Sequence, residues 1–128
     1  MAPHVDTSIV TMIASAEANG SPAVVLYSEL LGGWVRAPVR PGALLVNTGE
    51  TLRAVWNDTW PSTRHFVLNS SQADPRYSLA FFLHAAPNHP MAIAPSKSTP
   101  SNPARYVPTT FLESMGEGRR PGLLALAG

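Results

Sequence analysis

His4-Val5-Asp6-Thr7-Ser8-Ile9-Val10-Thr11-Met12-Ile13 carries the reading of this chain. Val5 to Ile13 is rich in β-branched residues and has the length of a strand. Side chains at positions i and i+2 of a strand project from one face, so His4 and Asp6 could reach a common metal ion without backbone distortion. An imidazole plus a carboxylate, with coordination positions left open, suits iron(II). The third ligand must come from another strand. Alone, His-x-Asp arises often by chance, and the rest of the sequence has to decide.

Outward from that stretch, thirteen prolines and nine glycines cut the 128 residues into short pieces, favouring strands and turns over long helices. Ala23 to Tyr27 reads as a short strand, and Trp34-Val35-Arg36 after Gly32-Gly33 as its hairpin partner. Arg40-Pro41-Gly42 reads as a turn into a buried strand, Ala43 to Val46. Thr48 is expected to cap a helical turn with Leu52, Val55 and Trp56 on one face. Arg64 to Leu68 and Arg76 to Leu83 read as two further strands around a polar loop, Asn69 to Pro75. Several short strands at close spacing predict a mainly β sandwich or barrel. Residues 1–84 are expected to form this core. Residues 85–128, with Pro87, Pro90, Pro95, Pro100, Pro103 and Pro108, are expected to form an extended tail with one short helix over Thr109 to Met115 and a frayed end.

Composition narrows the function. Only 13% of residues are charged and the net charge is +1, so nothing favours nucleic acid or another highly charged polymer. With no cysteine, disulfides, zinc thiolates, iron–sulfur clusters and thiol nucleophiles are excluded. No apolar run is long enough to span a bilayer. The opening residues resemble no secretory signal, so a cytoplasmic protein is expected and the Asn19, Asn57 and Asn69 glycosylation tripeptides are read as chance. There is neither a Gly-rich phosphate loop nor a Gly-x-Ser-x-Gly elbow.

Four motifs, in order, resemble the 2-oxoglutarate/Fe(II)-dependent dioxygenase superfamily that includes isopenicillin N synthase and the plant hormone oxidases. The opening stretch is similar to that family's first ligand strand. Arg40-Pro41-Gly42-Ala43-Leu44-Leu45-Val46-Asn47-Thr48-Gly49-Glu50 is similar to its Pro-Gly turn and Val-Asn-x-Gly-Asp/Glu element. Leu52, Asn57, Trp60, Ser62 and His65 match the approach to the distal histidine, and Arg76-Tyr77-Ser78 matches its Arg-x-Ser element. The resemblance implies a partial double-stranded β-helix (a cupin-like jelly roll) with one or two short helices. It implies Fe(2+) held by His4, Asp6 and His65, no catalytic side chain beyond them, and 2-oxoglutarate held at its distal carboxylate by Arg76 and Ser78. A guanidinium fork and a hydroxyl two residues on suit that carboxylate. The implied activity is oxidation of a small organic substrate by dioxygen, with release of succinate and carbon dioxide. Ala43–Val46 and Leu79–Leu83 would supply dry walls.

The sequence also departs from the family. Phe66 stands where an arginine usually follows the distal histidine, and Trp56 where a Thr or Ser precedes Asn57. Ala23-Val24-Val25-Leu26 reduces a Gly-Leu-Gln-Val signature. The family's long region ahead of the first histidine has no counterpart here, so a truncated form is expected, with exposed strand edges that promote self-association. Two other readings stay open: an oxidase of the same fold that does not use 2-oxoglutarate, and a non-catalytic β module. Glu50 and Asp58 are read as capping or solvent-exposed carboxylates, His84 and His89 as exposed loop residues. Arg119-Arg120 is read as a solvated pair.

Overall fold

Short apolar runs bounded by proline and glycine cannot bury themselves singly, and here they pair into two three-stranded antiparallel sheets. The computed structural model describes residues 2–17, 23–38, 40–68 and 76–115. In order these form β1 (Val10–Glu17), β2 (Val24–Ser28), β3 (Gly33–Arg36), β4 (Leu45–Thr48), α1 (Glu50–Val55), β5 (His65–Val67) and β6 (Arg76–Leu83). There follow β7 (Pro90–Met91), a 3-10 turn (Pro95–Lys97), β8 (Thr109–Thr110) and α2 (Phe111–Ser114). One sheet has the order β4-β1-β6 and the other β3-β2-β5, with β7-β8 a small ribbon. A cavity of about 190 Å³, lined by Ile13, Val24, Leu45 and neighbours, lies between the larger sheets. The expectation of a mainly β, jelly-roll architecture holds.

Two strands differ from expectation. The first begins at Val10, not Val5. His4 forms an isolated antiparallel bridge with His65 instead, each donating its N–H to the other's carbonyl at 2.9 and 2.8 Å. The segment between His4 and Val10 therefore leaves the β3-β2-β5 sheet and crosses to the β4-β1-β6 sheet. That crossing is why one continuous strand does not form. Next, β4 lies two residues later than read from sequence, and it is not buried: Leu44 and Val46 are more than half exposed. The reason is the alternation of the sheet. Thr11 pairs with Asn47 and Phe82, and Ile13 with Leu45 and Ala80, on the inner face. Val46 and Phe81 flank Met12 on the outer face, where no described element covers them. Leu79, Phe81, Phe82 and Leu83 are likewise exposed rather than a sealed wall.

The helix is not capped by Thr48, whose hydroxyl donates to the Pro61 carbonyl. Gly49 is the N-cap, without a side-chain bond, and Thr51 and Ala54 are the fully buried helix residues; Leu52, Val55 and Trp56 share a face as expected, half-buried and lining one pocket with Ala85 and Met91. Asn57 and Asp58 end α1 with positive φ values of 51° and 64°, a conformation that Asn and Asp tolerate better than most residues. Asn57 then ties down the following tail: its amide donates to the Lys97 and Pro103 carbonyls and its oxygen accepts from the Arg105 N–H. Tail residues Met91 and Tyr106 pack with Ala54 into a buried cluster behind α1. The predicted short helix is present as α2, with Thr110 and Glu113 forming a reciprocal capping box. The loop expected at 69–75 and the frayed end at 116–128, with its arginine pair, lie outside the described residues.

Candidate metal centre

The crossing segment is held by α1 and the turn before it. Gly49 N–H donates to Ile9 O, Glu50 N–H to Asp6 O, and the Thr51 hydroxyl to Thr7 O. Gly49 permits this contact: a Cβ there would stand 2.1 Å from the Ser8 carbonyl oxygen. Held in this way, Asp6 projects between the two histidines. His4 Nε2 lies 3.7 Å and His65 Nε2 3.5 Å from Asp6 Oδ1, with the ring centroids 4.4 Å apart. One ligating atom from each of the three residues lies within 4.8 Å of the others. Asp6 and His65 are buried while His4 is half-buried.

The donor chemistry fits a divalent ion. His4 Nδ1 contacts the Ala2 carbonyl and His65 Nδ1 the Thr63 carbonyl, each at 3.0 Å. A carbonyl only accepts, so in both neutral rings Nδ1 carries the proton and Nε2 offers its lone pair toward Asp6. Ligand atoms about 2 Å from a metal and at right angles to one another stand about 3 Å apart, so small inward shifts complete the set. Two imidazoles and one carboxylate on one side of an ion leave its other side open.

The proposed co-substrate residues sit on β6. Ser78 pairs with Ser15, on the sheet face that also carries Thr11. It is four residues along the strand from Thr11's row, or roughly 13 Å at the usual rise. Arg76 opens the strand opposite Glu17. Sequence reading missed the residues that hold Asp6: the Thr11 hydroxyl and the Asn47 amide both donate to its Oδ2, at 2.7 and 2.8 Å. The available signal was Asn47 itself, quoted in the second motif without a role. It also misjudged Glu50 and Asp58. Arg53 joins both, at 2.7 and 2.9 Å, and Asp58 further accepts from Arg105 and the Tyr106 hydroxyl. Burial favours the neutral form of Asp58, but the Tyr106 and Arg105 hydrogen bonds and the Arg53 charge outweigh it and hold the carboxyl below its usual range. Burial and then the bond to Asp58 push the Tyr106 hydroxyl up to about 12. His84 and His89 are exposed, as read from sequence. Phe66, at the position of the missing arginine, packs edge-on against Trp34, ring centroids 5.0 Å apart.

Two histidines and an aspartate, converging from the sheets of a jelly roll and the crossover between them, form a cluster that could hold a metal ion. Family comparison agrees: residues 1–85 match the model of the 2OG-Fe(II) oxygenase superfamily, and the chain belongs to that superfamily. It is 36% identical to 1-aminocyclopropane-1-carboxylate oxidase homolog 1 of Arabidopsis thaliana, over 96% of this chain and 34% of the relative. It is 32% identical to gibberellin 2-beta-dioxygenase 5 of Oryza sativa subsp. japonica, over 88% of this chain and 32% of the relative. Among solved structures, JOX2 in complex with 2OG, Fe and JA superposes with a TM-score of 0.79 and 25% identity, over 98% of this chain and 36% of that one. The chain thus spans about a third of the length of these relatives.

Proposed function

We propose that this chain carries the iron site of an Fe(II)- and 2-oxoglutarate-dependent oxygenase that hydroxylates or desaturates a small organic substrate, with release of succinate and carbon dioxide. The observation that carries the reading is the convergence of His4 Nε2, His65 Nε2 and Asp6 Oδ1, with both Nδ1 atoms already engaged. Iron(II), when bound, supplies dioxygen activation, with the electrons drawn from oxidative decarboxylation of the oxoacid. The chain's own residues do the rest. His4 and His65 present neutral nitrogens and Asp6 a negative charge, so the centre keeps a net positive charge that favours an anionic co-substrate. Arg76 and Ser78 are proposed to hold the far carboxylate of 2-oxoglutarate, and Ile13, Leu45 and Val24 to limit water at the cavity. Residues 1–84 form the working core in this reading, and the tail braces α1 from behind.

The test is anaerobic titration of the purified chain with Fe(II) and 2-oxoglutarate. A weak visible charge-transfer band is expected, and succinate formation on admitting oxygen. No band at millimolar co-substrate removes the proposal. The same titration separates two other readings. The resemblance to an oxidase homolog favours a same-fold oxidase that takes electrons elsewhere; iron binding without any succinate would identify it. The other is a non-catalytic module of the same fold, which would bind no iron.

We further propose a cytoplasmic setting; cell fractionation checks it. Dioxygen is the proposed second co-substrate. Self-association is proposed through β6, an edge strand of its sheet among the described residues. Tyr77, Leu79, Phe81 and Leu83 alternate along its outer face and are 44 to 75% exposed, and Val46 lies on the same face beyond Met12. Their exposed area, on the order of 500 Å², is at the upper end for a monomer's largest apolar patch. A dilution-stable monomer in analytical ultracentrifugation would remove that proposal.

A further inference from the structure

Asp6 has two carboxylate oxygens, and the protein treats them differently. Oδ2 accepts the Thr11 hydroxyl at 2.7 Å and the Asn47 side-chain amide at 2.8 Å. Oδ1 takes neither donor and faces both histidine Nε2 atoms. Because Thr11 gives its one proton to the carboxylate, its oxygen accepts from the Ser8 hydroxyl, 2.8 Å away. Ser8 and Thr11 are sealed from solvent, at 0 and 1% exposure, so these donors have no water to turn to. Only the NH2 end of Asn47 can donate to a carboxylate, which fixes the amide's orientation. Thr11 and Asn47 are also register partners across β1 and β4. The sheet therefore delivers the two donors to Oδ2 as a pair.

We propose that Thr11 and Asn47 are positioning residues that confine Asp6 to metal binding through Oδ1 alone. Both lone-pair sites of Oδ2 are occupied by protein donors, so chelation through both oxygens would strip two buried hydrogen bonds. One-oxygen binding keeps a facial set of three ligand atoms and leaves three sites free for small molecules. Rotation of the carboxylate about its own axis, which would exchange the oxygens, is blocked by the same pair. The inference rests on the proposed iron site and concerns how that site keeps its open positions.

The test uses the whole chain loaded with Co(II) in place of iron, followed by its d–d absorption, and by isotope-edited infrared spectroscopy of labelled aspartate. Thr11→Val keeps the shape and removes the donor, Thr11→Ser restores it, and Asn47→Ala removes the partner donor. Wild type and Thr11→Ser are expected to bind alike and to show the wide carboxylate stretch separation of one-oxygen coordination. Thr11→Val and Asn47→Ala are expected to lose roughly 10- to 100-fold in affinity and to show a narrowed separation. Urea midpoints of the metal-free variants report folding separately; if Thr11→Val does not fold, Asn47→Ala and Thr11→Ser decide. Unchanged affinity and spectra in a folded Thr11→Val or Asn47→Ala overturn the proposal, as does a Thr11→Ser protein that behaves like Thr11→Val. Failure of the wild type to bind Co(II) at all would instead overturn the iron-site reading.

Discussion

Replacing Gly49 by alanine should disable both fold and metal site through a single methyl group. Gly49 has φ −108° and ψ −179°, extended backbone open to any residue, so no conformational strain is involved. The obstacle is space: the new Cβ would lie 2.1 Å from Ser8 O and 2.8 Å from Ser8 C and Oγ. Ordinary contact needs more than 1 Å of additional separation, and the nearest atoms are backbone. Opening that gap pulls the turn before α1 off the crossing segment and stretches three bonds: Gly49 N–H to Ile9 O, Glu50 N–H to Asp6 O, and the Thr51 hydroxyl to Thr7 O. At about 1 kcal/mol each, the loss is about 3 kcal/mol. The urea midpoint of the metal-free chain should therefore fall by roughly 1–3 M, and Co(II) affinity should fall with it because Asp6 loses its support. Gly33→Ala is the control, since a Cβ there meets nothing closer than 4.0 Å. A Gly49→Ala chain with unchanged midpoint and unchanged Co(II) binding would refute the argument.

Three further outcomes are expected. His65→Ala should abolish the Co(II) d–d spectrum, since no other described histidine or acidic group joins the cluster; retention of the spectrum would place the ion elsewhere. Tyr106 has its hydroxyl raised to about 12 from an ordinary 10, so its contribution to stability is complete below about pH 10 and lost as pH rises through about 12. Asp58 is shifted the other way, so its contribution is present at neutral pH and lost as acid protonates it. Tyr106→Phe should flatten the alkaline limb of stability against pH in urea melts; an unchanged limb would be contrary. Finally, a double-mutant cycle on Trp34 and Phe66 should give a coupling of about 0.5–1.5 kcal/mol from their edge-on contact, against zero if Phe66 is a neutral replacement for arginine.

How much of this was legible depended on how far each interaction reaches along the chain. β6 was read with its observed ends, because Arg76 to Leu83 is one uninterrupted apolar-rich run. The joining of His4, Asp6 and His65 was also anticipated, though for an incomplete reason. They meet because a crossing segment is clamped by residues 49–51, some forty positions away, and not because His4 and Asp6 share a strand. Thr48 looked like a helix cap, but its hydroxyl is taken by Pro61, a contact no local pattern announces. The Asp58–Tyr106 bond spans 48 positions and was invisible for the same reason. Apolar character led β4 and the end of β6 to be read as buried, whereas in the sheet their side chains alternate between an inner and an outer face. It could not show that the outer one would be bare, since coverage depends on what else packs there.

The ligand set is divided between the two sheets. His65 is rooted in β5, and His4 is bridged to it, whereas Asp6 is fastened through Thr11 and Asn47 to β1 and β4. An ion at their meeting point would act as a rivet through both layers. Loading it and closing the sandwich would be two views of one equilibrium, each strengthening the other by the same amount of free energy.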